Sequence, residues 1–107
     1  MKNKVVIITG ASSGIGKACA LEFFKRDARL VLVSRTESKL IELTNFINNS
    51  GGTATYVVAD VSNELDCIKI INKTVDVHGG IDILLNNAGI SMRALFDDLK
   101  LSVFDKV

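Results

Sequence analysis

The residues with the clearest chemical potential are Thr9-Gly10-Ala11-Ser12-Ser13-Gly14-Ile15-Gly16. They follow the unbroken apolar run Val5-Val6-Ile7-Ile8. They precede a stretch with apolar side chains at Ile15, Ala18, Leu21 and Phe24, a spacing that predicts a helix over 15–26. A glycine-rich turn between a buried strand and a helix suits phosphate. Gly10 lets the chain turn sharply off the strand, Gly14 clears a path for a diphosphate to the backbone, and Gly16 lets the helix lie close to the strand. The first helical turn adds N–H groups without intrahelical partners and a partial positive charge. Ser12 and Ser13 add hydroxyl donors. By itself the spacing is also compatible with a structural tight turn.

Three further groups follow three further apolar runs. Ser34-Arg35-Thr36 comes after Leu30–Val33, Asp60-Val61 after residues 53–59, and Asn86-Asn87-Ala88-Gly89 after residues 82–85. A carboxylate after the second strand would hold a ribose 2′-hydroxyl, whereas the Arg35 guanidinium suits a 2′-phosphate through charge and paired donors. The expected nucleotide is therefore NADP rather than NAD. Glu37, about twenty residues after the glycines, is expected to face water in the first turn of the second helix. Each group also has a plainer alternative: a solvated cation at Arg35, a helix cap at Asp60 ahead of Ser62, a strand-end turn at Asn86-Asn87. His78, before Gly79-Gly80, reads as a cation at a helix end, and Ser91 as a loop residue.

The elements that must position these groups alternate regularly. The second helix is expected from Ser34 to Asn49, with Leu40, Leu43 and Ile47 on one side and a stop at Ser50-Gly51-Gly52. The third helix opens near Ser62 with Leu65, Ile68, Ile71 and Val75 as its stripe and ends at His78-Gly79-Gly80. The order β-α-β-α-β-α-β with unbroken apolar strands predicts a parallel sheet with helices on both faces, a doubly wound three-layer α/β arrangement. Right-handed crossovers leave few topologies.

The bulk properties fit one soluble globular domain: 107 residues, nearly half apolar, thirteen basic against twelve acidic. A formal charge of +1 gives no reason to expect nucleic acid or an anionic membrane as partner. Cys19 and Cys67 have no CxxC spacing and no clustered His, so no metal site is expected and both read as small apolar residues. The four-residue run Val5–Ile8 is too short for a secretory core, and no run reaches a membrane span, so the default location is the cytoplasm.

The G-x-x-x-G-x-G spacing, followed by Asp60 and then by Asn86-Asn87-Ala88-Gly89, resembles the compact branch of the short-chain dehydrogenase/reductase family, across the whole chain. The resemblance implies a Rossmann-type fold and a nicotinamide cofactor. It places Gly10, Ser12, Ser13, Gly14, Ile15 and Gly16 along the pyrophosphate and adenosine ribose. Asp60 would accept from the adenine amino group, beside the Val61 backbone. Asn87, Ala88 and Gly89 would run under the cofactor, with Asn87 also tying the central strands. The implied reaction is hydride transfer between NADP and a small carbonyl or alcohol, in a protein that assembles as a homo-oligomer.

The family's proton chemistry is carried by Tyr-x-x-x-Lys. The one tyrosine here, Tyr56, is followed four residues later by Asp60, so no catalytic pair is present. Ser102 and Asp105 have the spacing of a capping box, yet the sequence ends at Val107, about one turn later. The chain thus reads as the cofactor-binding half of an oxidoreductase, an incomplete domain cut after the fourth strand. That strand should be central in the whole sheet, and without its next neighbour the chain is expected to be marginally soluble and inactive. The alternatives are a non-catalytic dinucleotide-binding module and a methyltransferase, against which Ser34-Arg35 argues by offering no acid for the ribose.

Overall fold

A computed structural model describes residues 2–87. Among the described residues four strands and three helices alternate. They are β1 (Val5–Thr9), α1 (Gly14–Lys25), β2 (Arg29–Ser34), α2 (Glu37–Asn49), β3 (Thr53–Val58), α3 (Glu64–His78) and β4 (Ile83–Leu85). All pairings are parallel and the strand order is β3-β2-β1-β4.

Side-chain alternation along the strands creates two cores. Val6, Ile8, Leu30 and Leu32 face α1 and α2, meeting Ala20, Leu40, Leu43 and Ile47. Ile7, Val31, Val33 and Val57 face α3, meeting Cys67, Ile70 and Ile71. Because both faces are covered, β1 is buried at every position, which is why its sequence is continuously apolar. This is the Rossmann-type, helix–sheet–helix arrangement expected from the alternation.

Two helix faces differ from the sequence expectation. In α1, Ile15 is 76% exposed and Ala18 is also exposed, while Gly16 and Ala20 are buried. The helix lies so close to the strands that only small residues fit beneath its first turns; a Cβ on Gly16 would come within 2.6 Å of the Gly10 carbonyl carbon. In α3, Leu65 is 75% exposed, and Ile68 and Val75 also lie outside the core. The buried face is Cys67, Ile70, Ile71 and Thr74, rotated by about one residue from the expected stripe. Several apolar residues flank that face, so periodicity alone did not select the docked side.

The second helix begins later than expected. Ser34 is the last residue of β2, paired with Val58, and the helix proper starts at Glu37 after Thr36 as N-cap. α3 ends as expected, with Gly79 in the left-handed conformation (φ 81°) and its N–H bonded to the Val75 carbonyl.

The strand order places the site. From β1 the chain steps outward to β2 and β3, then crosses back to set β4 on the other side of β1. Above β1 and β4 the connections diverge in opposite directions, leaving a crevice at the carboxyl ends of the strands where open α/β sheets hold ligands.

Candidate functional site

The glycine turn leaves β1 at that crevice. Gly10 has φ 63°, which a side chain would oppose, and Gly14 has φ 58° with no atom near its missing Cβ. The Ala11 N–H extends the β1–β2 ladder by bonding the Val33 carbonyl at 3.1 Å, holding the turn over the end of β2. Ser13 is the N-cap of α1, but its hydroxyl makes no cap bond. The N–H groups of that first turn have no intrahelical acceptor, so the turn presents donors outward. Ile15 stands exposed beside them.

On the β2 side, Ser34, Arg35 and Thr36 close a small turn: the Thr36 N–H donates to Ser34 Oγ at 3.0 Å. Ser34 Oγ in turn donates to Ser12 Oγ at 2.9 Å, joining the two turns directly. On the next strand, the Ala59 N–H bonds the Ser34 carbonyl and carries Asp60 to the same rim. A hollow of about 410 Å³ gathers Gly10, Ser12, Arg35, Asp60 and Val61. Five residues singled out in sequence thus line one space. A larger groove of about 620 Å³ lies alongside, lined by residues of α1, α2 and the turn before α1; Ser12 is common to both, and Ser13 and Gly14 face this second groove. The hollow is the better candidate because it sits at the strand ends, whereas no strand residue lines the groove.

Asp60 lines the hollow and also has the capping role that was its plainer alternative. Its Oδ1 accepts from the Ser62 N–H (2.9 Å) and the Ser62 hydroxyl (2.6 Å), so it does cap the turn before α3. The Ser62 hydroxyl and N–H hold the carboxyl below the usual carboxylate range, and the Arg35 charge adds to this. Asp66 accepts the Asp60 backbone N–H at 2.8 Å, fixing the rim from behind. The actual N-cap of α3 is Asn63, which accepts from the Asp66 N–H. Glu37 is exposed in the first turn of α2 and lines a separate hollow on the β3 side, so no carboxylate from α2 reaches Arg35's hollow.

Asn86 and Asn87 close the crevice from β4. The Thr9 hydroxyl donates to Asn86 Oδ1 at 3.0 Å and accepts the Asn87 N–H at 2.9 Å, while Asn87 Nδ2 donates to the Thr9 carbonyl at 2.8 Å. Ala88, Gly89, Ser91 and the capping box at Ser102 lie outside the described residues. Thr9 and Ser34 were named within their motifs in the sequence, but their partners, Asn86 and Asn87 for one and Ser12 for the other, were not anticipated. A polar residue ending an otherwise apolar strand is the signal that marks both.

Among the described residues, Tyr56, His78, Cys19 and Cys67 do not line the hollow. Tyr56 packs against the α1–α2 core. His78 meets Thr55 Oγ1 at 3.3 Å, near the start of β3 and away from the glycine turn. The Cys67 thiol is buried and donates to the Val61 carbonyl, and burial pushes its pKa up. Cys19 and Cys67 form no disulfide. Among the described residues no His, Cys, Asp and Glu cluster could hold a metal, and no helix is long and apolar enough to cross a membrane.

A glycine turn opening a helix over the carboxyl edge of a parallel sheet, at its switch point, defines a Rossmann-type nucleotide-site protein. Comparison with known proteins narrows this: the short chain dehydrogenase family matches residues 4–107, and the chain belongs to that family of oxidoreductases. It is 44% identical over 99 residues to an 11-beta-hydroxysteroid dehydrogenase of Pinus massoniana, covering 92% of this chain but 28% of that protein. It is 39% identical over 104 residues to the short-chain dehydrogenase/reductase homolog YusS of Bacillus subtilis, covering 96% of this chain and 95% of that relative. L-Sorbose reductase of Gluconobacter frateurii, solved with NADPH and L-sorbose, superposes with a TM-score of 0.80 at 38% identity over 83% of this chain and 34% of its own. A family member from Burkholderia phymatum, solved with NAD, gives 0.76 at 29% identity over 78% of this chain and 30% of its own. The chain thus spans about a third of several relatives and nearly all of one.

Proposed function

We propose that the chain is the dinucleotide-binding part of an NADP-dependent oxidoreductase that interconverts small carbonyl compounds and alcohols by hydride transfer. The observation that carries the NADP preference is the makeup of the 410 Å³ hollow. Arg35 shares it with Gly10 and Asp60, and Glu37 is turned away. In this reading the diphosphate lies on the first turn of α1 over Gly14, Ile15 and Gly16, with Ser12 and Ser13 as added donors. The adenine rests between Arg35 and Val61, and its amino group donates to the Asp60 carboxylate. Asp60 spends one oxygen on Ser62 and retains the other. Asn87, with Ala88 and Gly89 after it, lies under the nicotinamide half. When bound, the nicotinamide supplies the hydride chemistry; this chain's residues hold and orient it. The whole protein acts in the cytoplasm as a homo-oligomer, without nucleic acid or membrane as partner.

The test is calorimetric titration with NADPH and NADH. Binding of NADPH about tenfold tighter or more supports the reading, from one charge-assisted contact of roughly 1.5–3 kcal/mol. Equal affinity removes the NADP preference, and no binding of either removes the dinucleotide reading.

A second reading, a binding module without catalysis, is supported by one specific observation: YusS matches this chain over nearly its whole length. The chain also contains no Tyr-x-x-x-Lys. NADPH binding without carbonyl reduction by the 107-residue chain is the expected result under both readings; robust turnover by the chain alone would refute the second.

A further inference from the structure

Ala54, Tyr56 and Val58 turn their backbone groups to the outer edge of β3. The Ala59 N–H bonds the Ser34 carbonyl of β2, so alternate positions of the strand face β2 and the intervening ones face outward. Among the described residues no strand lies on that side. Three side chains occupy it instead. The Asn48 carboxamide accepts the Ala54 N–H at 2.8 Å and donates to the Ala54 carbonyl at 2.9 Å. Residues opposite each other on antiparallel strands exchange the same pair of bonds, so Asn48, at the end of α2, stands in for one residue of a further strand. Lys73 donates to the Tyr56 carbonyl at 3.3 Å and Lys69 to the Val58 carbonyl at 3.1 Å. All the outward carbonyls of these positions are thereby engaged. The Tyr56 and Val58 N–H groups have no bonded acceptor among the described residues.

We infer that the outer edge of β3 is a self-complementary pairing surface for a second copy of this chain, held shut by Asn48, Lys69 and Lys73. The self-complementarity follows from the spacing of the outward groups. In an antiparallel pair with Tyr56 opposite its own copy, Ala54 falls opposite Val58, and every such pair exchanges N–H and carbonyl bonds. Both copies then offer the same patch across a closed two-fold contact. The strand itself favours pairing: Thr53–Val58 has four β-branched residues and a tyrosine, with no charge, proline or glycine. A hollow of about 610 Å³ runs along the edge, lined by residues 54–58 and both lysines, so an approaching strand meets side chains and no covering element. Closure works through the same atoms. Pairing must first release Ala54 from Asn48 and the two carbonyls from their ammonium groups. The two-fold contact would also gather the lysines of both copies at one junction, where like charges oppose each other. Glu37 lines the hollow too and offsets only part of that charge. The inference is independent of the dinucleotide reading.

The test is sedimentation velocity of the 107-residue chain, of the Lys69→Met, Lys73→Met double variant, of a triple variant that adds Asn48→Ala, and of both with Val58→Pro. Circular dichroism checks that each is folded. At equal concentration the weight-average mass of the triple variant should be raised about twofold over the parent, the mark of one closed two-fold contact, and that of the double variant by less. Proline at 58 deletes an outward N–H and leaves the β2 ladder intact, so it should return the mass to the parent value. An unchanged mass in the triple variant, or a rise that Val58→Pro does not reverse, would overturn the inference. Should loss of Asn48 unfold the chain, the double variant with and without Val58→Pro decides the question by the same two criteria.

Discussion

Thr9 and Asn87, separated by 78 residues, are bonded twice: the Asn87 N–H donates to the Thr9 hydroxyl and the Asn87 side-chain amide donates to the Thr9 carbonyl, at 2.9 and 2.8 Å. This pair fastens the carboxyl end of β4 to that of β1, where the strand order reverses and the crevice opens. Thr9 is fully buried, so its hydroxyl cannot exchange these partners for water. Thr9→Val keeps the shape and removes the hydroxyl, leaving the Asn87 N–H and Asn86 Oδ1 without it. Urea unfolding should show a loss of about 1–3 kcal/mol, and Thr9→Ser a smaller one.

Gly16 and Gly14 should fail differently. Gly16→Ala forces a Cβ into the Gly10 carbonyl and to 3.1 Å from the Ala11 Cα, so α1 must lift from the sheet. A stability loss of roughly 1–3 kcal/mol is expected by the same denaturant titration. Gly14→Ala meets no atom but requires positive φ, at about 1–2 kcal/mol. Cofactor titration of Gly14→Ala should show weakened binding beyond what its fraction folded accounts for, because the new methyl group stands where the diphosphate is proposed to lie.

Arg35 lines the hollow, is exposed and takes no part in the core, so its replacement separates recognition from folding. Arg35→Ala should leave the urea midpoint within about 0.5 kcal/mol of the parent. It should weaken NADPH by about 10- to 100-fold, with little change for NADH. Similar losses for both cofactors would remove Arg35 from a 2′-phosphate site.

His78 makes stability depend on mildly acidic pH. Burial, and then the Arg29 charge, lower its pKa from the ordinary 6.5. Above that value the ring is neutral in both folded and unfolded chains. As pH falls below 6.5 the unfolded chain takes up the proton first, so stability decreases until the folded value is passed and then levels off. Urea midpoints between about pH 7.5 and 5.5 should fall more for the parent than for His78→Gln.

Lys69 and Lys73 guard the outer side of β3. They lie four apart on α3 and reach carbonyls two apart on the strand, Val58 at 3.1 Å and Tyr56 at 3.3 Å. Among the described residues β3 pairs only with β2, so these carbonyls belong to an edge open to other strands. A Lys69→Met, Lys73→Met double variant should keep its helical and strand circular dichroism and scatter more light at equal concentration. Scattering equal to that of the parent would show that the two ammonium groups do not protect the edge.

What local sequence determined was the kind and order of elements. Val5–Ile8 and Leu30–Val33 are apolar on both faces because both faces are covered, and Gly79 ends α3 through its own left-handed backbone. The glycine spacing was legible for the same reason, since Gly10 and Gly14 answer to backbone conformation over a few residues. Tertiary structure decided what depends on distant partners. In α1 and α3 the apolar residues flank more than one face, so docking onto the sheet selected Gly16 and Ala20, and Cys67 and Ile70, over Ile15 and Leu65. Ser34 was read into a helix because its polarity is ordinary there; only parallel pairing with Val58 kept it in β2 and brought it to Ser12, 22 residues away. The same holds for Thr9, whose partners Asn86 and Asn87 are 77 and 78 residues distant. A hydroxyl's choice of partner carries no local pattern, because it is made when the strands align and water leaves the space between them.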